Sequence, residues 1–361
     1  MRPEHYLKPL KVRGRIARPQ PLGLPIVNMG FNELPYPPSP PVLAALTETA
    51  GRVQSYGSPL NDALRGALGR KHGLNPDQII CGNGSEELLD VIARNFVRAG
   101  DGVVISQYGY IQFEMTANRL GARLTKAVEQ DFTTDISAIL AAVSDDTKLV
   151  FLANPNNPTG TTLPAGDLAD LAAGLPPSVV LVLDLAYGEF TGADYCAEVH
   201  GIVEKHENVV VTRTFSKAYG LAGARVGWCH APEWMLPGFY AARGMGSVNA
   251  LAQAAALAGL DDYATVERRV GEIVSERDRL CETLAQMGVA TLPSQSNFLL
   301  ATISNGTADD TEALVEHLFT TCGIVVNRTR EAGLERFMRF SLSMPAHNDL
   351  LLNGVRGFLA A

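Results

Sequence analysis

The sequence predicts an α/β protein built on a mostly parallel sheet, and three observations carry that prediction. The first is a set of short Val- and Leu-rich runs without alternation: Lys148–Ala153, Val179–Leu183 and Val209–Val211. Such runs belong to strands buried on both faces, the condition of a parallel sheet whose crossover helices cover both sides. The second is an amphipathic stretch directly after a strand: Gln78–Cys81 leads through Gly82 and Gly84 into a helix with Leu88, Leu89, Ile92 and Phe96 on one side. The third is where the apolar runs stop. Each ends in a polar or glycine-rich stretch, Asn154–Gly160, Asp184–Tyr187 and Thr212–Gly227, and open α/β sheets bind ligands at the carboxyl ends of their strands. Asn157, Asp184, Tyr187 and Lys217 all fall at or just beyond such ends.

Composition narrows the functional classes. The 361 residues, 46% hydrophobic and 19% charged, describe a globular chain of two or three domains with a large core. A formal net charge of −8 argues against a general nucleic-acid or anionic-membrane partner, while leaving room for a local basic pocket. Five scattered cysteines, odd in number and without metal-ligand spacing, read as buried free thiols in a reducing cytoplasm. The seven histidines do not cluster in sequence, so no metal site is expected. Met1–Lys8 lacks the apolar core of a signal peptide, and no apolar run approaches the length of a membrane span.

In chain order, residues 1–41 form an extended arm, because Pro35, Pro37, Pro38, Pro40 and Pro41 exclude helix interior and central strand. Residues 42–245 make a large domain. It opens with a helix over Pro41–Ala50, turns at Gln54–Pro59 and continues with a helix over Asn61–His72. At Gly84, Ser85 and Glu86 a glycine-led helix start offers free N–H groups to an anion, although Ser85 alone would read as a plain N-cap. Gly100–Ile105 is a turn and strand that delivers Ser106–Tyr110. Residues 246–289 carry two bridging helices, Asn249–Leu260 and Tyr263–Met287. Residues 290–361 form a smaller α+β domain: strand Asn297–Leu300, helix Thr311–Thr321, strands Gly323–Val326 and Arg339–Ser343, and a terminal helix from about Asn348.

The stretch around Lys217 is the candidate for chemistry. A lysine among small, hydroxylated and apolar neighbours would have its charge discouraged by burial, and only the neutral amine can attack an aldehyde; taken alone, the stretch reads equally as a surface lysine in an ordinary strand-to-helix loop. Thr214, Ser216 and Arg225 supply hydroxyl donors and a planar guanidinium suited to a phosphate dianion, and Gly220, Gly223 and Gly227 let the backbone come close to it.

Taken together, these motifs resemble the fold-type-I pyridoxal-phosphate aminotransferases, in particular the histidinol-phosphate and aromatic aminotransferase branch. The resemblance runs from Asn32–Tyr36 to Arg339–Ser341. It implies an aspartate-aminotransferase-like architecture: a large domain with a mostly parallel seven-stranded sheet flanked by helices, and a smaller α+β domain. It implies pyridoxal 5′-phosphate as a Schiff base on Lys217, with Asp184 at the pyridine nitrogen and Asn157 and Tyr187 at the ring oxygen. The phosphate would rest on Gly84, Ser85, Glu86, Thr214, Ser216 and Arg225, with Tyr56 reaching in from a partner subunit. Tyr108 is the first choice for stacking on the ring and Tyr110 the second. Arg339 would clamp the substrate α-carboxylate, with Tyr36 and Asn297 bordering the same pocket.

The resemblance further implies a cytoplasmic homodimer with shared active sites, working in amino-acid biosynthesis. It would move an amino group between an amino acid, or a histidinol-phosphate-like amine, and a 2-oxo acid such as 2-oxoglutarate. Three departures stand out. Ser106 occupies the place of a proline, and Leu185 that of a glutamate. Asn327 stands where histidinol-phosphate enzymes carry the arginine for the substrate phosphate, so either Arg328 substitutes or the substrate lacks a phosphate. The same Lys, Asp and Asn would serve a decarboxylase of amino-acid phosphates or a cyclase or hydroxylase of specialised metabolism. A catalytically silent cofactor-binding partner is a further alternative, against which Lys217, Asp184 and Arg339 all count.

Overall fold

The computed structural model describes residues 23–329 and 331–360. The first 22 residues of the expected arm, and Arg330, lie outside the described residues. Strand β1 is Val27–Asn28. Seven strands follow that build one sheet: β2 Ile79–Gly82, β3 Gly102–Ser106, β4 Arg123–Ala127, β5 Thr147–Ala153, β6 Val180–Asp184, β7 Val209–Thr214 and β8 Gly227–His230. Their order is β2-β8-β7-β6-β5-β3-β4, and β8 runs antiparallel to both of its neighbours while the other pairs are parallel.

The packing explains why the predicting runs do not alternate. Successive side chains on a strand point to opposite faces, and here both faces are covered. Val103, Ile105, Leu149, Phe151, Val180 and Val182 enter the core under the helices Ser85–Phe96, Ile111–Arg119 and Leu236–Ala242. Val104, Val150, Leu152, Leu181, Leu183, Val209 and Val211 enter the opposite core under the helices Ala165–Gly174 and Ala193–Val203. Every position of β6 therefore has an apolar destination until Asp184.

A third core lies beyond β2. There the Ala-rich helix Ala250–Asp261 packs against Pro40–Ala50 and Asp62–His72, and the long helix Tyr263–Gln286 buries Val266, Ile273, Leu280 and Leu284 on one side. A smaller sheet comprises β9 Val289–Thr291, β10 Phe298–Ile303, β12 Asn327–Arg328 and β13 Met338–Ser341 in the antiparallel order β12-β13-β10-β9. Strand β11, Ile324–Val325, pairs in parallel with β1, tying the arm to the smaller unit. The single strand expected at Gly323–Val326 is thus shorter, and β12 follows it after Val326. Cys81, Cys196 and Cys229 are buried thiols, while Cys281 and Cys322 are partly exposed. Among the described residues no helix is long and apolar enough to cross a membrane, and no group of His, Cys, Asp and Glu has the arrangement to hold a metal ion.

Candidate active site

The carboxyl ends of β5, β6 and β7 open into a cavity of about 790 Å³, which the arm and the smaller sheet roof over. Asp184 ends β6, is 2% exposed, and accepts a hydrogen bond from Thr212 Oγ1 at 2.9 Å. Register places Thr212 beside it on β7. Burial raises its carboxyl to about 6 against the pull of Thr212. A buried carboxylate held by neutral donors alone, here Thr212 and the Ala186 backbone, is favourable only when a cation faces it.

Lys217 lies three residues past β7. Its amine donates to the carbonyls of Phe31 and Asn32, at 3.3 and 3.2 Å. Burial, reinforced by the Arg339 charge, holds it down to about 8, so a large share is neutral near pH 8. Tyr187 is buried, and its hydroxyl accepts from Asn32 Nδ2 at 2.9 Å. Burial pushes its phenol up to about 12, which keeps the proton on. Asn157 Oδ1 accepts from Arg339 Nη1 at 2.5 Å, and Arg339 Nη2 donates to Gly30 O at 2.9 Å.

An anion cup sits beside this floor. Gly84, at φ +82°, leads into the helix Ser85–Phe96, whose first N–H groups have no partner within the helix. Thr214 Oγ1 donates to Ser216 Oγ at 3.0 Å, and Arg225 Nη1 stands 3.5 Å from the same hydroxyl. Two glycines hold the cup tight. A Cβ on Gly227 would lie 2.4 Å from Ser85 N, and one on Gly84 would lie 2.6 Å from Arg225 Nη2. Backbone amides, two hydroxyls and a guanidinium suit a phosphate. A buried carboxylate suits a protonated ring nitrogen, and a lysine amine suits an aldehyde. The residues present therefore fit pyridoxal phosphate.

The comparisons agree with this geometry. The family model "Aminotransferase class I and II" matches residues 25–353. The chain belongs to that family. It is a pyridoxal-phosphate-dependent transaminase with the fold-type-I architecture. A histidinol-phosphate aminotransferase of Rhodopseudomonas palustris (strain BisA53) is 38% identical over 96% of this chain and 93% of its own length. The crystal structure of the Sinorhizobium meliloti histidinol-phosphate aminotransferase in complex with pyridoxal-5′-phosphate superposes with a TM-score of 0.88 at 34% identity, covering 93% of this chain and 91% of that one. The L-threonine-O-3-phosphate decarboxylase of Porphyromonas gingivalis, at 23% identity and a TM-score of 0.78 over 93% of this chain and all of that one, shares the fold alone.

In this aminotransferase the cavity is lined by Ser85, Glu86, Tyr108, Asn157, Asp184, Tyr187, Thr214, Ser216, Lys217, Arg225 and Arg339. The remaining site candidates sit elsewhere. Tyr36 is half-buried against the helix Tyr263–Gln286, donating to Glu272 at 2.7 Å with the Arg269 guanidinium 5.1 Å from its ring centre. It does not line the cavity; Phe31, Asn32 and Glu33 take that place. Arg328 is engaged with Glu312 on the helix Ala308–Cys322, because alternation along β12 sends neighbouring side chains to opposite faces, and Asn327 is the one that lines the cavity. Asn297 is fully buried behind the wall and donates to Asn32 O at 3.1 Å. Tyr56 is fully exposed and contributes nothing to the cavity of its own chain.

Two aromatic residues share the wall after β3. Tyr110 donates to Glu86 Oε1 at 2.8 Å and lies within the electrostatic reach of Asp184 and Tyr187. Tyr108 leans outward, with its ring 5.8 Å from Phe132 and against Leu334 and Phe337. Both line the cavity. Ser106 donates to the buried Glu129 carboxylate at 2.5 Å, and that carboxylate also accepts from Tyr108 N at 3.1 Å, so the serine closes the turn with hydrogen bonds. Asn32 was not singled out from the sequence as a site residue. Its signal is faint: an asparagine at the start of a proline-rich arm is an ordinary turn residue until its φ of +56° and its partners are seen.

Proposed function

We propose that this transaminase exchanges an amino group between a primary amine with an anion beside its amino-bearing carbon and a 2-oxo acid such as 2-oxoglutarate. The observation that carries the reading is the position of the Lys217 amine, in the same cavity as the buried Asp184 carboxylate and the Arg339 guanidinium. Bound pyridoxal phosphate supplies the aldehyde that takes the amino group and a ring that accepts electrons.

The chain's own groups do the rest. Gly84, Ser85, Glu86, Thr214, Ser216 and Arg225 hold the phosphate. Asp184 keeps a proton on the ring nitrogen, Asn157 and Tyr187 address the ring oxygen, and Tyr110 covers the ring face, with Tyr108 on the outer wall. Arg339 fixes the substrate anion with a planar fork. Lys217 Nζ, lowered toward neutrality by burial, takes a proton from the amino-bearing carbon and returns it to the neighbouring position.

Histidinol phosphate, the substrate in the relatives' names, is the first donor. Its phosphate ester hangs from the carbon that is a carboxylate in an amino acid, so Arg339 serves the anion of either substrate and no second arginine at position 327 is needed. A homodimer completes the reading. Leu43, Val53, Leu60 and Met245 are exposed large apolar side chains suited to cover by a second copy, and in this reading the exposed Tyr56 serves the partner's phosphate cup. The division into an arm 1–41, a large domain 42–245, bridging helices 246–289 and a small domain 290–361 belongs to the same reading, as does a cytoplasmic place in amino-acid biosynthesis.

The test is the visible spectrum of the loaded protein while histidinol phosphate, glutamate, phenylalanine, tyrosine and arginine are added singly. Loss of the lysine-bound cofactor band with recovery of pyridoxamine phosphate supports transamination and names the donor. Release of carbon dioxide without pyridoxamine phosphate, or no conversion by any donor, overturns the reading.

A further inference from the structure

Asn32 joins three parts of the molecule at one point. Its backbone N–H donates to Ser341 Oγ at 2.7 Å, at the end of β13. Its Oδ1 accepts from the same hydroxyl at 3.3 Å, and its Nδ2 donates to Tyr187 Oη at 2.9 Å. Its carbonyl receives Lys217 Nζ at 3.2 Å and Asn297 Nδ2 at 3.1 Å. The residue is 2% exposed, so each of these bonds forms away from water. Its φ of +56° is in the left-handed region, where asparagine is among the few non-glycine residues tolerated. One side chain thus satisfies a backbone demand and a hydrogen-bonding demand together.

The orientation of the Asn32 amide sets the direction of the protons around it. Ser341 Oγ accepts from the Asn32 backbone N–H and donates its own hydrogen to the side-chain oxygen. That leaves the NH₂ group facing Tyr187. A phenol that accepts from an amide must send its own hydrogen elsewhere, and the cavity that Tyr187 lines is the open direction. We propose that Asn32 is a positioning residue of the amino-transfer reaction, whose side-chain amide turns the Tyr187 hydroxyl proton into the cavity toward the cofactor's ring oxygen. The proposal rests on the reading that Tyr187 addresses that oxygen.

Asn32→Asp keeps the shape and tolerates the left-handed backbone, but it replaces the donor with an acceptor that captures the tyrosine proton. Asn32→Gly keeps the backbone and removes the amide. Both are made in the wild-type chain and in Tyr187→Phe. We expect Asn32→Asp to lower kcat about 30-fold with KM changed less than about threefold, and Asn32→Gly to lower it about tenfold. In Tyr187→Phe both losses shrink to under about threefold, because the group acted through is gone.

Two readouts do not depend on turnover. Asn32→Asp weakens pyridoxal phosphate binding to the cofactor-free chain about tenfold, and it raises the pH midpoint of the visible band by about one unit. Both effects fade in Tyr187→Phe. Equal losses in the two backgrounds, or no loss in the wild-type background, overturn the proposal. Should both Asn32 variants fail to fold, Ser341→Ala frees the amide to turn over and reads the same coupling: a loss confined to chains that retain Tyr187 supports the proposal, and one shared by Tyr187→Phe overturns it. If Tyr187→Phe itself matches wild type in turnover, affinity and midpoint, the reading of Tyr187 has failed, and that result is distinct from a failure of the Asn32 coupling.

Discussion

The floor and the roof of the cavity are built by different rules. The floor groups, Asn157, Asp184, Thr214, Ser216 and Lys217, follow the ends of adjacent strands, where register alone brings them together: Ala153 pairs with Asp184, and Asp184 with Thr212. The roof groups, Phe31, Asn32, Asn327 and Arg339, come from segments about 300 residues apart and meet only when the arm and β13 dock on the large domain; the Asn32–Ser341 bond spans 309 positions. A floor residue owes its place to one strand, whereas a roof residue owes it to a three-way contact. Substitutions on the floor are therefore expected to remove chemistry outright, and those on the roof to grade it.

Lys217→Ala is the most severe floor change. Removing the amine removes both the attachment point and the proton carrier, and kcat is expected to fall about 10⁴-fold or more. Single-turnover spectra would also lack the band of the lysine-bound cofactor. A variant retaining a tenth of the wild-type rate would show that another base serves, and the contrast between floor and roof would collapse.

How much of this was legible in the sequence follows the same division. The sheet was, because β5, β6 and β7 each carry an unbroken apolar run, Leu149–Ala153, Val180–Leu183 and Val209–Val211, that stops at polar residues; two-sided burial leaves that mark in one dimension. The floor candidates followed from it. The roof was legible only where one residue type had few uses, as with Arg339. Tyr36 was expected to touch substrate, but Glu272 and Arg269 hold it on the long helix, and both are over 200 positions away. The buried Arg213–Glu189 pair, 2.6 Å apart, was equally invisible, since a strand arginine reads as a surface residue until a carboxylate two residues past Tyr187 is found beside it. His200 and His230, 30 positions apart, meet there as well, with Arg213 donating to His200 Nε2 and the second histidine reaching Glu204.

Asp184→Asn separates the floor's stability from its function. The carboxyl is raised from an ordinary 3.8 to about 6 in the folded chain, so the folded state binds more protons than the unfolded one across that window. Its stability contribution is full below pH 4 and is lost as pH rises through 6. A shift of this size corresponds to about 3 kcal/mol. The cofactor-free Asn variant is therefore expected to be more stable than wild type at pH 7.5 by up to about 3 kcal/mol, and no more stable at pH 4. Denaturant unfolding at the two pH values measures the difference. With cofactor bound the order reverses, because the ring cation then compensates the carboxylate. Equal stabilities at both pH values would mean that Asp184 is not strained by its burial.

Arg339→Lys tests the roof. The lysine keeps the charge but cannot make the bonds to Asn157 and Gly30 and hold a planar anion with one fork. A loss of about 2 kcal/mol, roughly 30-fold in kcat/KM, is expected for glutamate and for histidinol phosphate alike, since under the proposed function both would present their anion to this group. A loss for glutamate alone would place the phosphate elsewhere and separate the two donors.

The smallest effect belongs to Tyr36→Phe. The hydroxyl binds Glu272, whose carboxyl is pulled below its usual range by that bond first and by Arg268 and Arg269 after it. Removing an exposed hydrogen bond from a glutamate that keeps Arg268 at 2.6 Å costs about 0.5 kcal/mol or less. KM for every donor should stay within about twofold of wild type, and the melting temperature should move by about 2 °C at most. A tenfold rise in KM would show that Tyr36 reaches a substrate, from its own subunit or across a dimer, and the roof would then extend beyond Phe31, Asn32 and Glu33 to the whole arm.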